Sequence, residues 1–218
     1  MGQEISKELK GVIAQMLKPL KGLPLSLVIE GVSGHHVLPF DKKSSQDTKV
    51  LENLKKVADD VIHEINKKGI LRPRPNEVGN DVEPFVRASL NKFNYKAEIP
   101  KTSNNKKKSM GYPDIEFIDE FGRCNYIECK TFNIQNVDTA QRSFYLSPSD
   151  NFKVNKDAHH FGISFEVYSE KNKGNNHLYK LKGWKILDLT KLKLDVKYEF
   201  NADNKKLYSE ELILAEKE

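Results

Sequence analysis

Two carboxylates and a lysine in the middle of the chain have types and spacing suited to metal-assisted phosphate chemistry. Asp114 follows Pro113, and Glu128 and Lys130 come after a gap of thirteen residues. Mg²⁺ prefers oxygen ligands, and two carboxylates with water and a phosphate suffice to hold it. A lysine beside such an ion can orient or deprotonate a water, or stabilise developing charge, and the sequence leaves these roles open.

The elements that must position these residues are two short strands joined by a tight turn. Alternation of apolar and polar residues predicts strands over 112–118 and 123–131, and 119–122 has the composition of a hairpin turn. The end of the second strand then returns beside the start of the first. A surface hairpin with a cross-face ion pair is the simpler alternative.

Strand parity decides which side chains of this hairpin meet. Glu128 and Lys130 lie two residues apart and therefore project from one face, whereas Ile127 and Cys129 project into the core. Folding the hairpin brings Asp114 next to the Glu–Lys pair. A surface hairpin alone does not explain an acidic residue at that position.

The segment from Pro113-Asp114 to Glu128-Cys129-Lys130 resembles the PD-(D/E)xK signature of the restriction-endonuclease-like nuclease superfamily. The resemblance implies an α/β fold, in which a mixed β-sheet core is flanked by helices. It also implies that Asp114 and Glu128 bind Mg²⁺ and that Lys130 is catalytic.

Many enzymes of that superfamily add a carboxylate from a helix before the hairpin, and Glu83 resembles this residue. A helix is predicted over 81–93, with Asp81 as N-cap and Pro84 in its first turn. In the simpler interpretation, Glu83 favours the helix dipole and pairs with Arg87.

Two other acidic residues are weaker candidates for the same site. Glu77 is the second choice for the carboxylate before the hairpin, and Glu116 shares a face with Asp114.

Basic residues near the hairpin are candidates for contacts with a nucleic-acid backbone. Arg142, Lys153 and Lys156 follow the second strand, and Lys107 lies in the polar loop 101–110 before the first. A solvated charged loop is the alternative for 101–110.

Two further features of the segment that follows the hairpin are weaker signals. Gln141 and Tyr145 resemble a Q-x-x-x-Y element of some superfamily nucleases, although that element belongs on a helix and this segment reads as extended. His159 and His160 are better explained as a polar or partly buried pair than as metal ligands.

Hydrophobic periodicity predicts the remaining elements. The predicted helices cover 4–20, 47–68 with Gly69 as C-cap, and part of 209–218. The predicted strands cover 25–29, 142–147, 161–168, 177–181, 184–189 and an edge strand within 192–200. Residues 1–218 are expected to form one domain with a mainly helical part (1–70), a catalytic core (80–190) and a C-terminal arm (191–218).

Composition narrows the class of protein. The chain has 218 residues and a formal net charge of +5, which suits a polyanionic ligand without requiring one. Cys124 and Cys129 lie on opposite faces of one strand, so a disulfide is not expected, and no Cys pair suggests zinc. Without a signal peptide or a long apolar stretch, the expected location is the cytoplasm.

The chain most resembles an orthodox type II restriction endonuclease, because its size is typical and it has no P-loop. That resemblance implies a homodimer that cuts double-stranded DNA at a short palindrome, with a cognate DNA methyltransferase as genetic partner. The alternatives are a DNA repair or junction-resolving nuclease and a non-catalytic DNA-binding protein. The intact Asp114, Glu128 and Lys130 argue against the last.

Overall fold

The structure of the chain is a computed structural model. It describes residues 2–16, 18, 20–107, 111–136, 143–149, 151–197, 202–207, 209–213 and 215. The chain divides into two compact units, Pro24–Leu192 and the pair of segments Met1–Leu23 and Lys193–Glu218.

The described residues form helices and strands in mixed order. The helices are α1 (Gly2–Met16), α2 (Leu25–Ser33), α3 (Ser45–Lys68), α4 (Val78–Lys92) and α5 (Asn204–Leu207). The strands are β1 (Leu23–Pro24), β2 (Val37–Leu38), β3 (Ile70–Arg72), β4 (Lys96–Glu98), β5 (Ile115–Ile118), β6 (Cys124–Phe132), β7 (Ala158–Lys173), β8 (Asn176–Asp188) and β9 (Lys193–Leu194).

A seven-stranded mixed sheet is the centre of the larger unit. Six strands follow the order β3-β8-β7-β6-β5-β4, and β2 pairs with β7. The β6–β7 and β2–β7 pairs are parallel and the others are antiparallel. Helices α3 and α4 pack against one another and against the sheet. The predicted α/β fold, a restriction-endonuclease-like mixed sheet flanked by helices, is confirmed.

The apolar faces of α3 and α4 and one face of the sheet share a single core. Removing this apolar surface from water is the main favourable contribution to folding. Strand parity assigns Ile127 and Cys129 to this core, as predicted, and leaves the opposite face for polar groups. The core side chains include Val57, Val61, Val86, Leu90, Ile115, Phe117, Ile127, Cys129, Ile163 and Phe165.

Helix α3 confirms the predicted helix over 47–68. Its first turn is capped by Ser44, whose side chain accepts the backbone N–H of Asp47 at 3.2 Å. Its last turn ends at Gly69, whose N–H donates to Ile65 O at 2.8 Å. The φ angle of Gly69 is 72°. A Cβ on Gly69 would lie 2.7 Å from Leu178 Cδ1, so neighbouring strand β8 also requires glycine there.

The strand predicted over 25–29 is wrong, because these residues begin helix α2. Leu25 and Ile29 lie one helical turn apart and are both fully buried. A short apolar run does not reveal its period, and only packing decides between helix and strand.

Helix α4 begins earlier than the predicted 81–93. It starts at Val78, directly after a 3-10 turn at Pro75–Glu77, and Pro84 therefore lies inside the helix instead of its first turn. Asp81 is not the N-cap, because it lies in the first turn of α4 and Glu77 holds the N-cap position. Its carboxylate accepts two hydrogen bonds of 2.6 and 2.7 Å from Arg72 on β3. This pairing links the first turns of α4 to the sheet.

Long-range pairing also changes the predicted strands. The segments 177–181 and 184–189 join into the single strand β8, because β7 pairs along its length and two register shifts absorb the irregular positions. The strand predicted over 142–147 is absent from the described residues 143–149.

The predicted terminal elements differ from the described ones. Helix α1 ends at Met16, short of residue 20, and the edge strand within 192–200 is reduced to Lys193–Leu194 in the described part. The described part of the C-terminal segment holds a 3-10 turn at Glu210–Leu212 in place of the expected longer helix.

Cys124 and Cys129 are both buried and unpaired, as strand parity predicts. Burial raises the pKa of Cys124 to about 12, which leaves its thiol protonated. Among the described residues, every helix is too short or too polar to cross a bilayer.

A buried ionic cluster ties the start of α3 to the turn between β5 and β6. The Arg123 guanidinium contacts Asp47 through Nη1 at 2.6 Å and Asp119 through Nε at 2.9 Å. Both aspartates are about 5% exposed or less. Asp119 Oδ1 also accepts the N–H groups of Phe121 and Arg123, which closes the hairpin turn.

We predict that Arg123→Ala lowers the free energy of unfolding by roughly 3 kcal/mol, because two buried carboxylates would lose their cation. Urea denaturation followed by circular dichroism measures this change. Lys55→Ala, which removes an exposed ion pair with Glu52, is the control and should change it by under about 0.5 kcal/mol. Equal effects of the two substitutions would contradict the assignment of Arg123 to a buried ionic cluster.

Candidate active site

Asp114 is held against the second strand of the hairpin by two hydrogen bonds. Its N–H donates to Ile127 O at 3.0 Å, and its Oδ2 accepts the N–H of Cys129 at 2.8 Å. The antiparallel register pairs Ile115 with Ile127, so the residue before Ile115 lies opposite Glu128. The backbone therefore brings Asp114 beside Glu128.

Glu128 and Lys130 form an ion pair on the same face of β6. Lys130 Nζ lies 2.6 Å from Glu128 Oε1, and their side chains are 33% and 6% exposed. The second oxygen of Glu128, Oε2, is buried and has no hydrogen-bond donor among the described residues. A buried carboxylate oxygen without a donor is costly, and a cation at this position would satisfy it.

Burial makes the charged forms of both carboxylates unfavourable. It raises the pKa of Glu128 to about 7, with a further contribution from the charge of Asp114, while Lys130 opposes the shift. Burial also raises the pKa of Asp114, while the hydrogen bond from the Cys129 N–H and the charge of Lys130 lower it. Two carboxylates in a partly dry site thus have a strong need for positive charge.

Glu83 joins this cluster from helix α4. Burial raises the pKa of Glu83 to about 7, and the charge of Asp114 is the next contribution. Lys153 and Lys130 oppose that shift more than Arg87 does, and no Glu83–Arg87 ion pair occurs within the described ranges. The electrostatic neighbours of Glu83 are therefore the residues of the hairpin site.

The weaker acidic candidates lie apart from the three carboxylates. Glu77 ends the 3-10 turn before α4, where its charge acts on Arg72 and Tyr179. Glu116 is buried on β5 and forms an ion pair with Lys156.

The predicted DNA-contacting cations fall in different places. Lys156 is half exposed beside Glu116, and Lys107 is 57% exposed with its Nζ 3.1 Å from Glu98 Oε2. Arg142, like Gln141, lies outside the described residues.

Lys153, the remaining predicted cation, is 2% exposed. Its charge lowers the pKa values of Glu83, Asp114 and Glu128 against the effect of burial, so it belongs to the electrostatic surroundings of all three. The sequence predicts Lys153 as a DNA-contacting residue. The feature of the sequence that indicates its burial is its position between Phe152 and Val154, both of which are buried.

The two histidines begin β7 and are buried instead of lying in a loop. His160 is 2% exposed, and its Nδ1 shares a 2.5 Å hydrogen bond with the hydroxyl of Tyr112. Burial lowers the pKa of His160 to about 3, followed by the effect of His159, so the ring is neutral. Tyr145 is 54% exposed, and the described stretch 143–149 around it contains no helix for a Q-x-x-x-Y element.

The donor set favours a hard cation that keeps part of its water shell. Within the described residues, no three His, Cys, Asp or Glu side chains are grouped to enclose a metal ion. Mg²⁺ does not need such a cage, because carboxylates, waters and a phosphate complete its six positions. Asp114 fits this requirement, as does Glu128, whose buried Oε2 has no hydrogen-bond donor among the described residues.

The fold is consistent with that of a restriction-endonuclease-like enzyme, and comparison with known proteins gives the family. The model of the type II restriction enzyme MjaV family matches residues 19–211. Type II restriction enzyme MjaV of Methanocaldococcus jannaschii is 40% identical, over 97% of this chain and 96% of that protein. The chain therefore belongs to the type II restriction enzyme MjaV family, a class of site-specific deoxyribonucleases. No solved structure matches it significantly.

We predict that Glu83→Gln raises the free energy of unfolding of the metal-free protein by about 1 kcal/mol at pH 8. With a folded pKa of about 7, Glu83 holds its proton more tightly in the folded state than in the unfolded state. Its contribution to stability is therefore lost as the pH rises from about 4.5 to 7, whereas glutamine has no such loss. Urea titrations of both proteins should coincide at pH 5 and differ at pH 8, and the opposite order would refute the assignment.

Proposed function

We propose that the chain hydrolyses phosphodiester bonds of double-stranded DNA at a short specific sequence, in a reaction that requires Mg²⁺. The observation that carries this proposal is the pair of half-buried Asp114 and buried Glu128. Glu128 Oε1 lies 2.6 Å from Lys130 Nζ, and its Oε2 has no hydrogen-bond donor among the described residues. Membership of a type II restriction enzyme family supplies the class of substrate.

Asp114 and Glu128 would hold the metal ion, which supplies a polarised phosphoryl group and a more acidic water when bound. Lys130 stays protonated: burial lowers the pKa of its ammonium group, but the charge of Glu128, its hydrogen bond with Lys130 and the charge of Asp114 together raise that pKa by more. Lys130 therefore acts as a hydrogen-bond donor that orients the attacking water or stabilises charge on the phosphate. An ammonium group cannot take the proton from that water.

Glu83 is the group suited to move a proton. Its pKa of about 7 lets it be ionised at mildly alkaline pH and accept a proton without a large cost. It also adds a third negative charge that favours a divalent cation. Glu83 thus assists the water that Lys130 orients.

Cutting both strands requires two active sites, and the proposal places one, built on Asp114, Glu128 and Lys130, in the described part of each chain. A homodimer with two-fold symmetry would place one site on each strand of a palindrome. A cognate DNA methyltransferase would be the genetic partner, because the cell's own copies of the sequence must be protected. The enzyme would act in the cytoplasm, with access to incoming DNA.

We expect long unmethylated DNA to give discrete fragments with Mg²⁺ and no cleavage with EDTA. Asp114→Asn and Lys130→Met should lower the rate at least about 100-fold, because they remove a metal ligand and a positioned donor. Lys55→Ala, on the exposed side of α3, is the control and should cleave normally. Gel electrophoresis and sequencing of the fragment ends measure the outcome, and an unresolved smear would exclude a site-specific enzyme.

Lys107, Lys156 and Arg142 are proposed to contact DNA phosphates. In an Asp114→Asn background, which prevents cleavage, Lys107→Ala and Lys156→Ala should each weaken binding. Each should also lower the salt slope of log K by about one unit, because one phosphate contact is lost. Fluorescence anisotropy at several salt concentrations measures both effects. Unchanged slopes would show that these lysines do not contact DNA. The control is Lys92→Ala, which removes an exposed lysine of α4.

A further inference from the structure

The face of the sheet that carries Glu128 and Lys130 continues across β7 and β8. The parallel register pairs Lys130 of β6 with Ser164 of β7, and the antiparallel register pairs Ser164 with Lys185 of β8. Residues that are paired across neighbouring strands project their side chains from the same face. Lys130, Ser164 and Lys185 therefore form one row across three strands.

The ammonium group of Lys185 lies close to the catalytic strand. Neighbouring strands are about 4.8 Å apart, so the Cα atoms of Lys130 and Lys185 are separated by roughly 10 Å. Lys185 Nζ lies 4.7 Å from the centre of the ring of Phe132, which follows Lys130 on the same face of β6. A cation over an aromatic ring is attracted by the ring on one side and can meet water or another ligand on the other.

The opposite face of β8 is the one that meets the helices. Trp184 and Ile186 pack against the core that α3 and α4 share with the sheet. Strand parity places Asp188 on that same face and directs Lys185 and Leu187 away from it. Lys185 is exposed and Leu187 is 42% exposed. This part of β8 is therefore a surface next to the candidate active site.

Charges along β7 and β8 leave Lys185 available to bind an anion. Lys182 Nζ lies 3.7 Å from Glu166 Oε1, and Lys180 Nζ lies 2.7 Å from Glu170 Oε1. These four neighbouring charges compensate one another in pairs. Within the described residues, the contact of the Lys185 ammonium group is an aromatic ring and not a carboxylate.

DNA is the occupant that this surface fits best. A type II restriction enzyme acts on DNA, and the row begins at the lysine of the proposed catalytic cluster. DNA that is bound at Lys130 has further phosphates within roughly 10 Å, since each strand advances about 3.4 Å per nucleotide. A two-fold contact with a second copy of this chain would instead bring two positively charged rows together.

We propose that Lys185 is a further DNA-contacting residue, which binds a backbone phosphate about two to four nucleotides from the cut. Its ammonium group exchanges water for phosphate oxygens and thereby fixes the position of the DNA over β6. Its distance from Lys130 places it outside the reacting groups. This inference rests on the proposed function.

The first test is DNA binding by fluorescence anisotropy, in the Asp114→Asn background that prevents cleavage. Lys185→Met should weaken binding about tenfold and lower the salt slope of log K by about one unit, because one charge-assisted phosphate contact is lost. Lys185→Arg keeps the charge and should retain the slope. Lys67→Met, which removes an exposed lysine of α3 on the other side of the sheet, should match the parent protein.

A scan with methylphosphonates locates the contact. Each one replaces a single charged phosphate near the cut by a neutral group, on either strand of an oligonucleotide that the native protein cleaves. Affinity should fall at a position about two to four nucleotides from the cut, and the same change should have no further effect on Lys185→Met. This loss of additivity would identify the phosphate that Lys185 binds.

The possible outcomes separate this contact from the proposed function. An unchanged salt slope, or additive effects of Lys185→Met with every methylphosphonate, would overturn the contact and leave metal-dependent cleavage standing. An unchanged slope together with dissociation of a dimer in sedimentation velocity would assign the surface to a second copy of the chain. Native protein that neither binds nor cleaves DNA would refute the proposed function itself.

Discussion

In the β5–β6 hairpin, the pairing of Ile115 with Ile127 sets the positions of Asp114, Glu128 and Lys130 in the candidate active site. The same register directs Ile127 and Cys129 into the core and Glu128 and Lys130 to the opposite face. A slip of one residue would exchange these two sets, so burial of the apolar face and assembly of the site depend on one another. The bond from the Cys129 N–H to Asp114 then joins the carboxylate to this register.

The active site concentrates charge that the fold must compensate. Burial makes ionised Glu83, Asp114 and Glu128 unfavourable in the absence of metal, and Lys130 and Lys153 offset only part of that cost. The continuous core beneath the sheet supplies stability elsewhere in the same unit. The buried carboxylates thus lower the stability locally, as polar groups at functional sites of enzymes often do.

The cations near the site differ in burial, and this difference separates their roles. Lys130 is partly exposed and can meet substrate, whereas Lys153 is enclosed by its loop. Lys107 is exposed and paired with the exposed Glu98, so a phosphate can replace that partner at little cost. Lys156 is half exposed and its partner Glu116 is buried. Burial therefore divides the lysines near the candidate site into partly exposed, enclosed and surface side chains.

The sequence by itself determined the hairpin, the face that carries Glu128 and Lys130, and helix α3, because periodicity, strand parity and capping are local properties. Only tertiary structure decided that Leu25–Ser33 is a helix, that β8 is continuous and that Asp81 pairs with Arg72, because each depends on distant partners. The same holds for Lys153. In the sequence its charge suggests a surface position, and only the packing of the loop onto β6 buries the side chain.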